Sequence, residues 1–181
     1  MRKTLAAVAA VGVSAFAIAG GSAVAETGDR AVGATILMKF SNATGPVFTG
    51  DKTIVAGENL KIVNRSNPDR IGPHTLSIVE KADLPKSQAD FKNCFGGGVC
   101  GKIAEAHELS KNGVVKKPLV DEGDEGWDTA FSENAFGDTW YTEKKKEKLI
   151  QVVSPEAGPK LFFVCAIHPD MQGKLAVTAA P

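Results

Sequence analysis

The stretch "LFFVCAIHPDMQGKLAV", Leu161 to Val177, spaces a cysteine, a histidine and a methionine three residues apart, at Cys165, His168 and Met171. Cys165 closes an apolar run, so its sulfur is expected at the edge of a core rather than in open loop. A thiolate is a soft ligand, an imidazole a borderline one and a thioether a weak one, and together they favour a soft metal ion. One loop supplies three such donors. A further imidazole has to come from elsewhere in the chain.

Only two more histidines exist, His74 and His107. His74 follows Pro73 at the start of "PHTLSIV", an apolar strand from whose end the ring can point toward a neighbouring loop. His107 lies in an expected helix between Glu105 and Glu108, the setting of a surface histidine rather than a ligand. His74 is therefore the candidate. Two imidazoles and a thiolate in one plane, with a thioether at the apex, form the type 1 (blue) copper arrangement used for electron transfer. Zinc sites draw on nitrogen, thiolate and carboxylate donors and leave Met171 unexplained.

The whole chain has 181 residues, enough for one domain with a sizeable insertion. Residues 1–25 read as a signal peptide. Arg2 and Lys3 precede the apolar "LAAVAAVGVSAFAIAGG", and Ala23-Val24-Ala25 fits a small-residue cleavage site. An uncleaved membrane anchor is the competing reading. Cleavage would leave a mature domain of residues 26–181 with 19 basic and 21 acidic side chains, a net charge of −2. That balance predicts no nucleic-acid partner and no polybasic membrane contact. No other stretch is long and apolar enough to span a bilayer. Export to a periplasm or to the outside implies an oxidising compartment, where paired cysteines become disulfides. Cys94 and Cys100 are the natural pair, because the glycines of the intervening "FGGGV" let the backbone turn tightly. A redox-active or metal-binding pair is the alternative. Cys165 is then left as the odd cysteine that a metal would explain.

Short strands with turn signals between them dominate both ends. "ATILMKF" (34–40) is expected to be a strand, and 45–67 a strand, a turn at Ala56-Gly57-Glu58-Asn59 and a second strand. "PHTLSIV", "KLIQVVS", "KLFFVC" and "GKLAVTA" read as four more. The pattern predicts an all-β sandwich or small barrel. From about 81 to 148 the chain is charged and glycine-dotted, and it reads as a partly helical insertion. "KSQADFKN" and "KIAEAHELSK" are the helix candidates, the second closed by Asn112-Gly113. Trp127, Phe131, Phe136 and Trp140 are expected to order the insertion together with the disulfide.

With these residues in view, "VAGENLKIVNRSNPDRIGPHTLSIV" and "FFVCAIHPDMQGKLAV" resemble the two signature halves of the plastocyanin and amicyanin group of cupredoxins. The likeness covers 52–79 and 149–178, with 34–40 as a plausible first strand, and the short ligand loop is most similar to amicyanin. The resemblance implies a Greek-key β-sandwich holding one type 1 copper. His74, Cys165 and His168 would be the strong ligands and Met171 the weak axial one. It also implies redox protein partners docking where the edge of His168 reaches a surface ringed by Ile71, Pro73, Pro169 and Met171. The chain differs from the group at Thr75, where an asparagine commonly ties the two ligand loops together, at Ile167, where a proline is common, and in the length of its insertion.

The expected role is therefore a monomeric, non-enzymatic one-electron carrier. A multicopper oxidase or copper nitrite reductase needs many more imidazoles than three. A copper carrier or storage protein of the same fold is the alternative, since it would use the same ligands.

Overall fold

The computed structural model describes residues 31–121, 126–128 and 136–181; the expected signal peptide (1–25) and Phe131 lie outside them. β1 (Val32–Ser41) shows the period-2 pattern of a half-buried strand, sending Ala34, Ile36 and Met38 inward. The segment expected to hold two strands holds three: β2 (Gly45–Gly50), β3 (Thr53–Val55) and β4 (Asn59–Asn64). The predicted turn does separate β3 from β4, with Gly57 at φ 82°, a region glycine enters without steric cost.

A single helical turn, α1 (Pro68–Ile71), leads into β5 (His74–Val79). Two short helices follow, α2 (Gln88–Asn93) and α3 (Val99–Ala106), and then β6 (Leu119–Val120) and β7 (Phe136–Thr142). β8 (Lys148–Val152), β9 (Lys160–Val164) and β10 (Gln172–Thr178) complete the chain. One sheet has the order β2-β1-β4-β8 and the other β3-β10-β9-β5-β7-β6. β1 with β4 and β3 with β10 run parallel, and the remaining pairs are antiparallel. The chain changes sheet between β2 and β3, β3 and β4, β4 and β5, β7 and β8, and again between β8 and β9, as a sandwich requires.

The main core lies between the sheets. Ile36, Met38, Leu60 and Ile62 from one meet Leu76, Ile78, Trp140, Leu161, Phe163 and Leu175 from the other. Phe48 and Phe163 pack edge to face, with centroids 5.0 Å apart. A second core covers the far side of the larger sheet, where Cys94, Val99, Cys100 and Ile103 pack on Val79, Phe136, Val164 and Ala166. The Cys94–Cys100 disulfide is formed, and it sits inside this second core.

The region expected as an insertion is therefore narrower than 81–148. β6 and β7 lie inside it and belong to the sheet, and Trp127 and Trp140 are buried in the main core rather than holding an insertion together. Charge runs around these strands mask the apolar signal. The helix candidate at 86–93 is confirmed, with Ser87 and Asp90 forming a reciprocal capping box. The second helix starts earlier and stops at Ala106, and Asn112-Gly113 closes a separate turn in which the Gly113 amide donates to the Ser110 carbonyl. His107 is not on the surface: it caps α3 and is 2% exposed. Among the described residues no helix is long and apolar enough to cross a membrane.

Candidate metal centre

β5 and β9 are neighbours in the larger sheet, with Ser77 opposite Val164. Alternation along β9 and just beyond it turns Leu161, Phe163 and Cys165 into the main core and Val164 and Ala166 toward the helices. Along β5 the same rule sends Leu76 and Ile78 inward and Val79 outward. His74 stands at the start of that strand, fully buried. Register thus brings two residues 91 positions apart together, with His74 Nδ1 lying 3.8 Å from Cys165 Sγ.

The loop after Cys165 folds back on itself. The Met171 amide donates to the His168 carbonyl at 2.8 Å, and the Cys165 amide donates to the Met171 carbonyl at 2.9 Å. This closed turn places His168 Nδ1 3.6 Å from Cys165 Sγ and sets its ring, tilted by 42°, 4.9 Å from that of His74. His74, Cys165 and His168 offer donor atoms all within 4.8 Å of one another. Met171 is buried in the same core as Cys165. His107 is not part of this cluster.

The donor chemistry fits a soft metal ion. His168 Nε2 lies 3.0 Å from the Ile71 carbonyl, which can only accept, so Nε2 carries the proton and the Nδ1 lone pair faces the sulfur. His74 Nε2 is buried with no partner among the described residues, so that ring is held by packing and by its Nδ1 contact with Cys165 Sγ. Burial, reinforced by the nearby His168 ring, pushes the His74 pKa down to about 4. Burial also lowers His168, against the Ile71 carbonyl and Asp170. Both imidazoles are therefore neutral at neutral pH. Desolvation raises the Cys165 thiol, while hydrogen bonds from Thr75 and from the His168 and Ile167 amides pull the other way. Those donors await a thiolate, the form a bound cation favours.

Thr75 holds the two ligand segments together. Its amide points at Cys165 Sγ from 3.3 Å, and its hydroxyl accepts from the Ala166 amide at 2.8 Å. The missing asparagine is thus replaced by a shorter side chain that reaches the loop directly. Sequence reasoning flagged Thr75 only as a departure. The available signal was the alternation of Thr75 and Ser77 within an otherwise apolar strand. Gln172 went unnoticed: its side-chain amide donates to the Pro169 and Pro85 carbonyls, fastening the ligand loop to the chain beyond β5. The expected surface ring is corrected in one member: Met171 is 1% exposed, whereas Ile71, Pro73 and Pro169 are partly open.

No family model matches the chain, and no curated protein matches it. Solved structures do. Auracyanin A, a "blue" copper protein from the green thermophilic photosynthetic bacterium Chloroflexus aurantiacus, aligns at 15% identity over 80% of this chain and 98% of its own, with a TM-score of 0.39. Dithionite-reduced auracyanin from Roseiflexus castenholzii aligns at 17% identity, over 83% and 100%, with a TM-score of 0.37. Auracyanin B aligns at 13% identity, over 80% and 88%, with a TM-score of 0.41. By strand order the chain is a two-sheet β-sandwich, and the imidazole, thiol and thioether donors that meet at the end of its larger sheet are the set a type 1 copper centre uses.

Proposed function

We propose that the protein is an exported one-electron carrier that holds a single type 1 copper through His74, Cys165, His168 and, axially, Met171. The convergence of two imidazole nitrogens and one sulfur within 4.8 Å, at a buried end of a stiff sandwich, carries this reading. Copper bound there would alternate between Cu(I) and Cu(II). The chain's contribution is to keep the ligands in place during that change. β5 fixes His74, the closed turn fixes His168, and the Thr75 hydroxyl locks one segment to the other. Little rearrangement means a low barrier to electron transfer. His168 is the partly exposed ligand, so redox partner proteins would dock beside it, over Ile71, Pro73 and Pro169. The signal-like start at 1–25 supports a periplasmic or secreted location for a monomeric, non-enzymatic mature domain of residues 26–181.

The test is to add Cu(II) to the purified mature protein. An intense visible charge-transfer band and reversible one-electron voltammetry are expected. A colourless protein, or one that takes only Cu(I), would establish copper carriage or storage instead.

A further inference from the structure

On the outer face of the larger sheet, four buried polar side chains line up between the ligand loop and the C-terminal end of α3. The Thr75 hydroxyl, which accepts from the Ala166 amide, receives the Ser77 hydroxyl at 3.0 Å. Ser77 is also in short contact with Thr139, its partner across β5 and β7. Thr139 Oγ1 lies 3.0 Å from His107 Nε2, and His107 Nδ1 lies 2.6 Å from the Lys117 carbonyl. All four are at most 2% exposed. Buried polar groups are tolerated when their hydrogen bonds are made, and a chain of hydroxyls polarises along its length.

Proton counting sets a direction. The Lys117 carbonyl can only accept, so Nδ1 of His107 is the protonated nitrogen. Burial holds His107 below the ordinary histidine range, against the pull of that carbonyl, so Nε2 is bare at neutral pH and accepts from Thr139. The Thr139 proton is then committed, and the one proton of Ser77 is divided between Thr139 and Thr75. Thr75 also abuts the ligand segment: its hydroxyl holds the Ala166 amide, and its own amide points at Cys165 Sγ from 3.3 Å.

We propose that His107 is a positioning residue for the metal centre, acting through Thr139 and Ser77 on the Thr75 hydroxyl that holds Ala166, the residue next to Cys165. This rests on the copper reading. With its bare nitrogen in place, His107 draws the chain's protons away from Thr75. Removing that acceptor, or Thr139 itself, leaves the Ser77 proton wholly to Thr75. The Thr75 oxygen then has less to offer the Ala166 amide, and the ligand loop is held less firmly against β5.

Three variants make a signed test. His107→Leu and Thr139→Val should both move the midpoint potential of the copper protein, and its sulfur charge-transfer band, in one common direction. Ser77→Ala should shift both the opposite way, and Thr139→Ser should restore the wild-type values. The double variant His107→Leu/Thr139→Val should shift no further than either single one, because both act on the same proton. In the metal-free protein the Ala166 amide resonance should move in each variant except Thr139→Ser. An unmoved Ala166 resonance overturns the chain. A moved resonance with potentials that stay put, or all shift with one sign, overturns the positioning role and leaves a structural one. A wild-type protein with no charge-transfer band fails the copper reading itself, which is seen before any variant is made.

Discussion

Cys165 carries the largest burden at the scale of single residues, because its sulfur is the atom both imidazoles face. Cys165→Ala should abolish the visible band altogether. Met171→Gln should keep metal and colour but shift the potential, as expected of a weak axial ligand. Voltammetry with metal analysis separates the two outcomes, and a coloured Cys165→Ala protein would mean the thiolate lies elsewhere. His74 has a second consequence in the metal-free form. Its folded pKa of about 4 lies below the ordinary 6.5, so the unfolded chain takes up the proton first. Stability is then present above about 6.5 and lost as pH falls toward 4, and the lowered values of His168 and His107 act in the same direction. The buried thiol of Cys165, raised from its ordinary 9.0, gives a separate loss as pH climbs past that value. Denaturant midpoints of metal-free protein should trace a plateau between these limits. A midpoint unchanged from pH 7 to pH 4 would show that the imidazoles are not buried neutral.

At the scale of elements, the join between β5 and the loop after β9 is a handful of hydrogen bonds rather than an extended interface. Thr75→Val keeps the shape of the side chain and removes the acceptor of a buried amide. The loss should be about 1–3 kcal/mol, the range for leaving one buried donor unpaired. Urea melts would read the stability, and faster copper release would report the loosened loop. The second core makes a different demand. Replacing Cys94 and Cys100 together by serine removes a cross-link over a short loop, worth roughly 2 kcal/mol on the chain-entropy estimate. It also puts two hydroxyls among Val99, Ile103 and Ala166. Hydrogen exchange should quicken in α2 and α3 before it does in β9. Simultaneous exchange of both regions would mean that the outer layer and the sandwich open as one unit.

For the molecule as a whole, the two cores divide the work. The inner core between the sheets fixes the ligands, and the outer one covers the back of the strands that carry them. One cysteine is free and fully buried. Thiol titration of non-reduced, metal-free protein should therefore find a single sulfhydryl, reactive only after denaturation. Three reactive thiols would contradict the disulfide. Chromatography at micromolar concentration should return a monomer, matching a carrier that meets its partners transiently.

Much of this was legible in the chain itself. Chemistry local to the backbone can be read directly: three donors at fixed spacing, the glycine-lined cysteine pair, the helix-forming run at 86–93, and apolar strands bounded by turns. The choice of His74 over His107 also followed from local setting, although His107 proved buried. Everything that depended on register was decided by tertiary structure. β6 and β7 were hidden because a strand buried on both faces, such as Phe136–Thr142, lacks the simple alternation that marks a half-exposed one. The tie from Thr75 to Ala166, and the chain from Ser77 through Thr139 to His107, join residues far apart in sequence. Hydrogen bonds of that reach leave no periodic trace, since what brings the partners together is the pairing of β5 with β7 and β9.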